Sequence, residues 1–502
     1  MNLATAFTKS AQQCAGKPAI FWGEDVITYD DIAAESRSLA HSLISSPLGV
    51  KPGDRVAIWL KNCPEFISVL FGILQAGAVV VPINNFLKPD EVTYILKDCG
   101  ATVLITETDL REGTAKLRDN IPGLRVLEVD FTSIQKPVPP LPSQNNQSER
   151  DLAVIIYTSG TTGRPKGAML SHGNLLHNVE SCRQVLQAVS FDRFAVLLPM
   201  FHSFMLTVGI VLPICVGGSL VLVKSLHPPK NIIAEILRNQ ATILPAIPQL
   251  FRTLANAQLP PNLPLRLCIS GAAPLPGEVL KEFNAKFPIP LLEGYGLSEA
   301  SPVVTMNPIQ GPWKAGSIGL PIPDVEVSIQ SEAGEMLPPK QVGELCVRGG
   351  NVMLGYLNQP EETKKVMRGD WLLTGDVGYK DEDGYIYITD RKKDMLLVNG
   401  INVYPREVEE VIYQFPGVKE AAVVGRPDPR KGEQPIAFVA ANDGANIDAK
   451  ALIQFLRGKL ADYKVPRSVN IIPALPRNAT GKILKTALRE MALAGEDESG
   501  AE

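Results

Sequence analysis

The chain is expected to be an α/β protein of at least two domains, and three features carry that expectation. Short aliphatic, β-branched segments alternate with helix-length ones before about residue 390, the spacing of βαβ units and open, mostly parallel sheets. At 502 residues the chain is too long for one core. Beyond about residue 390 the texture changes to a smaller α+β unit.

The elements follow in order. Arg55 to Leu60 reads as a strand, Pro64 to Ala76 as a helix, Val79 to Pro82 as a strand, Pro89 to Leu96 as a helix and Ala101 to Thr106 as a strand. Lys136 to Arg150 is a polar, proline-rich connector. Leu152 to Tyr157 is short, continuous and apolar, the pattern of a buried strand. Met205 to Val223 is almost uncharged and long enough to raise the transmembrane question. Pro213 and the Gly217-Gly218 pair interrupt it, so a buried helix, a turn and a strand from Ser219 to Val223 are expected instead. Leu265 to Ile269 reads as a further strand. In the small unit, Tyr404-Pro405 leads into a helix from Glu407 to Gln414, followed by a strand from Ala421 to Gly425. Leu493 to Glu502 is small and acidic and is expected to be disordered.

Composition narrows the function. A net charge of −4 offers no electrostatic case for nucleic acid. The seven cysteines have neither CxxC nor metal-ligand spacing, which suits a reducing compartment. His172 and His177 are poorly spaced for one helix face, so no zinc site is argued. Met1 to Lys17 lacks the cationic start and apolar core of a secretory signal. A cytoplasmic enzyme is therefore expected.

Seven segments carry the chemistry. Thr158-Ser159-Gly160-Thr161-Thr162-Gly163-Arg164-Pro165-Lys166-Gly167 follows the strand at Leu152. Its glycines let backbone N–H groups wrap an anion, while hydroxyls and Lys166 add donors and charge, so the loop is built for phosphate. It is not the GxxxxGK[ST] loop, because Pro165 stands where that pattern needs its second glycine. Leu292-Glu293-Gly294-Tyr295-Gly296-Leu297-Ser298-Glu299 supplies an aromatic face for a base, a hydroxyl for a phosphate and a carboxylate for Mg²⁺. Ser270-Gly271-Ala272-Ala273-Pro274-Leu275 follows the strand at Leu265. Thr374-Gly375-Asp376, alone a common turn, precedes Asp390-Arg391-Lys392-Lys393-Asp394 and Asn399-Gly400-Ile401-Asn402-Val403-Tyr404-Pro405. Lys482, in Pro476 to Lys485, stands on an exposed-looking loop just before a helix.

In this order the segments resemble the adenylate-forming enzymes, the superfamily of acyl-CoA synthetases, adenylation domains and firefly-type luciferases. The resemblance runs from about residue 20 to 490. It implies a large N-terminal domain (1–390) of mixed and parallel sheets flanked by helices, with a β-barrel-like part. A hinge (391–393) and a small mobile α+β lid domain (394–502) complete the implied architecture. It further implies that ATP is bound by Thr158, Ser159, Gly160, Thr161, Thr162, Gly163, Lys166, Gly271, Ala272, Ala273, Tyr295, Gly296 and Ser298. Asp376 and Arg391 would hold the ribose, and Lys393 would be the hinge residue, a variant of the aspartate common there. Glu299, with Thr158, would hold Mg²⁺, and Lys482 would reach the carboxylate and the α-phosphate. Gly400 would line the channel for CoA, with Tyr463 and Arg467 as weaker candidates for its nucleotide end.

The implied reaction explains the residue types. A carboxylate attacks the α-phosphorus of ATP, pyrophosphate leaves, and a thiol captures the acyl-adenylate. The nucleophile is already ionised, so positioning and preorganised cations dominate. Pro199 to Phe204 resembles the loop bordering the acid pocket, with His202 as its gate. Leu206, Val208, Gly209, Val303, Val304 and Met306 are apolar and could wall a tunnel or be plain core. Ser301 to Pro308 is similar to fatty-acyl-CoA synthetases, which favours a medium- to long-chain fatty acid. An aryl acid, or a carrier protein as the thiol acceptor, is the alternative. A lipid acid would make peripheral membrane contact natural, and monomer and homodimer stay open.

Overall fold

The computed structural model describes residues 1–129, 147–158, 164–226, 228, 230–259, 262–428, 430, 432–477 and 482–494. Two large sheets dominate the first part of the chain. One has seven strands, in which Val79–Pro82, Arg55–Trp59, Val103–Thr106 and Arg125–Glu128 run parallel. The other has nine, with a parallel centre of Arg193–Val196, Ile243–Ala246, Leu267–Ser270 and Leu291–Gly296. Both carry antiparallel edge pairs around a parallel centre, the mixed and mostly parallel arrangement expected.

The helices Leu3–Gln13, Tyr29–Ile44 and Pro64–Gln75 share one apolar core with strands of both sheets. Phe7 stacks on Phe71 at 4.1 Å between ring centroids, both without solvent exposure. Pro64–Gln75 is buried on nearly every side because its sequence is apolar all round. Tyr29–Ile44 starts at a capping box, in which Thr28 accepts from the Asp31 amide and Asp31 accepts from the Thr28 amide.

Met205 to Val223 forms a π-helical stretch, Met205–Val211, then Leu212–Val216 and the strand Ser219–Leu222. The buried helix, turn and strand are therefore present, with π rather than α hydrogen bonding at the start. No helix among the described residues is long and apolar enough to cross a membrane.

Val325–Gln330, Gly343–Gly349, Trp371–Lys380, Met367–Arg368 and Ile386–Arg391 make a five-stranded antiparallel sheet. This is the part expected to be barrel-like; its pairings among the described residues do not close a ring. A last sheet joins Leu396–Val398, Ile401–Val403, Val418–Asp428, Gly432–Ala441 and Ser468–Ile471. Its two core clusters, spanning Leu396 to Ala492, contain no earlier residue.

Boundaries shift by a few residues. The strand expected at Leu265 begins at Leu267, and the helix expected from Glu407 begins at Pro405. Proline is well placed at a first helical position because its fixed φ suits it and its missing N–H would be unbonded there. Leu493 and Ala494, expected in a disordered tail, close the helix Lys485–Ala494. Most of the connector 136–150, and the rest of that tail, lie outside the described residues.

Candidate functional site

The phosphate-type loop is a hairpin connection. Leu152–Thr158 pairs antiparallel with Lys166–Ser171, and Thr158 stands opposite Lys166. In the GxxxxGK[ST] architecture a helix follows instead. Ser159, Gly160, Thr161, Thr162 and Gly163 lie outside the described residues. Thr158 and Lys166 both face a cavity of about 1060 Å³. Lys166 pairs with Glu362 and lies 5.3 Å from the centre of the Tyr356 ring. Lys365 donates to the other Glu362 oxygen at 2.5 Å.

The opposite wall is made where parallel strands end. Leu267–Ser270 and Leu291–Gly296 are neighbours, so Gly271 and Ala272 emerge beside Tyr295 and Gly296 at the carboxyl ends of their strands. That is where open α/β sheets bind ligands. Ala272 adopts a φ of 66° and Ser301 of 70°, conformations that non-glycine residues seldom take outside functional turns. Gly296 is required by packing, since a Cβ there would come within 2.2 Å of the Pro302 carbonyl oxygen.

Tyr295 donates its hydroxyl to Asp376 Oδ2 at 2.6 Å, and Arg391 Nε lies 3.1 Å from Asp376 Oδ1. Asp376 and Arg391 stand directly opposite on paired strands. Burial and then the Asp376 carboxylate hold the Tyr295 hydroxyl well above the usual phenol range. Asp376 is further fixed by its own amide donating to Thr374 Oγ1 at 3.0 Å.

Glu299 Oε1 accepts from the Tyr356 hydroxyl at 2.8 Å, and Ser298 Oγ meets Ser203 Oγ at 3.0 Å. His202 lies in the same cavity with Phe201 and Phe204. Burial, then the charge of Lys482, pulls its imidazole down to about 4. It is therefore a neutral group near pH 7. Of the apolar residues that could wall a tunnel or be plain core, Val303 and Met306 line the cavity with Phe204 and Ile269. Leu206, Val208, Gly209 and Val304 are buried in the packed core beside it.

Lys482 and Lys393 reach this cavity from the far side. Solvent in the cleft reaches the Lys482 side chain, yet protein surrounds the cleft. Burial, then the Arg391 charge, lowers its ammonium to about 8, against the counteracting pull of Asp376. Lys393 is lowered for the same two reasons. A second space of about 1460 Å³ opens beyond Ala272, Ala273 and Tyr295, between the two large sheets' part and the last sheet's part.

Thus Thr158, Lys166, His202, Gly271, Ala272, Tyr295, Gly296, Ser298, Glu299, Asp376, Arg391, Lys393 and Lys482 meet at one cavity, with Ala273 in the adjoining one. Gly400, Tyr463 and Arg467 are not among the residues lining either space. Gly400 sits exposed in the turn between Leu396–Val398 and Ile401–Val403. Tyr463 packs against the core of the last sheet, and the Arg467 amide donates to Pro435. Tyr356, Glu362 and Ser203 were not singled out from sequence. Tyr356 is 57 residues from Glu299 and Glu362 is 196 from Lys166, so no local pattern links them.

Comparison with known proteins identifies the family. Residues 7–357 match the family model "AMP-binding enzyme", and 407–482 match "AMP-binding enzyme C-terminal domain". A long-chain-fatty-acid–CoA ligase of Bacillus subtilis is 37% identical, over 97% of this chain and 94% of its own. A feruloyl-CoA synthase of an Amycolatopsis species is also 37% identical, over 94% and 95%. The ATP-bound structure of MatB from Rhodopseudomonas palustris superposes with a TM-score of 0.91 at 33% identity, over 98% and 99% of the two chains. With both the nucleotide-side and the C-terminal segments matched, the chain belongs to the AMP-binding enzyme family.

Proposed function

We propose that the chain activates a medium- to long-chain fatty acid as its acyl-adenylate and transfers the acyl group to CoA. Its enzyme class is that of the AMP-forming acyl-CoA ligases. The single observation that supports the first step is Lys482 beside Asp376, Arg391 and His202 in one cavity. A carboxylate and a triphosphate repel each other, and a cation at their meeting point offsets that repulsion.

In this reading Tyr295 stacks on the base, while Asp376 and Arg391 hold the ribose. Lys166, with the hydroxyls and amides of the loop it closes, takes the β- and γ-phosphates. Neutral His202 borders the acid without adding charge. Lys482 holds the acid's carboxylate against the α-phosphate. The donor set also fits Mg²⁺: one carboxylate, Glu299, and one hydroxyl, Thr158, leave positions for phosphate oxygens and water, as that ion prefers. Among the described residues there is no cluster of three or more protein ligands that would make a closed cage. The bound ion would neutralise phosphate charge.

The division at 390 and the hinge at 391–393 belong to the same proposal. Thiolysis needs a second pose, in which the part beyond Lys393 turns so that Gly400 replaces Lys482 at the cavity. Tyr463 and Arg467 would then meet the nucleotide end of CoA. The fatty acid is favoured by the apolar lining from Phe201, Phe204, Ile269, Val303 and Met306 and by the fatty-acid relative. The feruloyl relative, at the same identity, favours an aryl acid as the second reading. A pyrophosphate-release screen across fatty and aryl acids, with CoA added and withheld, tests both. Release without CoA, and turnover with it, is expected for fatty acids. Release with aryl acids alone would replace the substrate, and no release with any acid would overturn the ligase.

A further inference from the structure

We infer that Arg252 is a positioning residue that docks the C-terminal part of the chain so that Lys482 stands at the cavity; this rests on the ligase reading above. Arg252 belongs to the helix Pro248–Asn256, at the rim of the larger space. Its guanidinium crosses to the backbone of the other part, donating to Val418 O at 2.7 Å and to Lys419 O. On its own side Nε lies 3.7 Å from Glu282 Oε2, an ion pair. The side chain is only 13% exposed. Planar, doubly donating geometry of this kind is something lysine cannot reproduce.

The docked strand is mechanically tied to Lys482 on both sides. Just past the two accepting carbonyls, Glu420 pairs with Arg477, which precedes Lys482. Glu409, in the helix Pro405–Tyr413 packed against that strand, pairs with Lys485 at 2.9 Å, just after Lys482. Arg406 and Glu410 of the same helix add contacts to Glu293, at 3.7 Å, and to the Gly277 amide, at 3.4 Å. Arg252 is not among the residues lining the cavity that holds Lys166, His202 and Glu299. It acts by holding the element from which Lys482 is suspended. A displacement of about 1 Å at a reacting group can cost on the order of 100-fold in rate.

The test separates the half-reactions in the full-length enzyme, using an acid that passes the pyrophosphate screen. Arg252→Ala is expected to slow acyl-adenylate formation by about 10- to 100-fold, in kcat more than in KM for ATP. Thioester formation from supplied acyl-adenylate should be unchanged. Arg252→Lys should recover only part of the loss. On a Lys482→Ala background, Arg252→Ala should add almost nothing, because both changes remove one function. Equal loss in both half-reactions, or losses that simply multiply on that background, would overturn the inference. A variant that fails to fold would lose both half-reactions; Arg252→Lys, which keeps charge and bulk, then decides by the same two criteria. Failure of the wild-type screen would instead strike the ligase reading.

Discussion

Tyr295 and Asp376 are joined by a hydrogen bond of 2.6 Å between residues 81 apart in sequence. The carboxylate proposed for the ribose is thereby held between a phenol and the Arg391 guanidinium. An aromatic group and an acid from two different sheets are thus set in one orientation.

That preorganisation gives the first expectation. Asp376→Ala would remove the carboxylate proposed to accept from two ribose hydroxyls, each such bond to a charged group being worth about 1.5–3 kcal/mol. KM for ATP should rise by about 100- to 10,000-fold, with a smaller change in kcat. Tyr295→Phe keeps the ring and loses only the clamp, so its effect on KM should be about tenfold. Steady-state pyrophosphate release measures both. An unchanged KM in Asp376→Ala would remove the ribose role.

Lys482 sets a pH dependence. Its folded-state value is depressed to about 8, so the free enzyme carries the charge below pH 8 and loses it above. Accordingly kcat/KM for ATP in the adenylation step should fall as pH rises through 8. Lys482→Arg, which stays charged, should move the fall to higher pH at some cost in rate. Lys482→Ala should lose several orders of magnitude in adenylation and spare thiolysis of supplied acyl-adenylate. A flat profile up to pH 10 would exclude the ammonium as the group that titrates.

Gly400 separates the poses. It has a φ of 77° in the turn after Asn399, and a Cβ there would meet nothing within 4 Å. Gly400→Leu should therefore fold, with a local strain of about 1–2 kcal/mol, and should form acyl-adenylate normally. CoA turnover should stop, because the channel it is proposed to line would be filled. Unaltered CoA turnover would show the channel to be elsewhere.

The shared core yields a stability expectation independent of function. Phe7→Ala should destabilise the large part by about 3–5 kcal/mol, since the fully buried ring stacks on Phe71 in the shared core. Thermal unfolding followed by circular dichroism measures it. A shift near zero would mean that the helix Leu3–Gln13 does not unfold with that core.

Much of this was legible in sequence where the chemistry lies in contiguous residues. Thr158 after its strand, the turn at Tyr295 and Gly296, and the pair Asp376 and Arg391 lie in short motifs that sequence singled out, and all reach the cavity. What was not legible depends on pairing at a distance. Nothing near Lys166 announces Glu362, and nothing near Glu299 announces Tyr356. Lys482 is exposed, as its loop suggested, but its sequence neighbours do not show that it faces a cleft beside Asp376 and Arg391. The π-helical start at Met205 likewise reflects hydrogen bonding that apolar composition does not specify.

The most direct measurement follows oxygen from the acid. With the carboxylate labelled in ¹⁸O, turnover in the presence of ATP and CoA should place one labelled oxygen in AMP and release unlabelled pyrophosphate. Labelled orthophosphate together with ADP would contradict attack at the α-phosphorus, and with it the placement of Lys482.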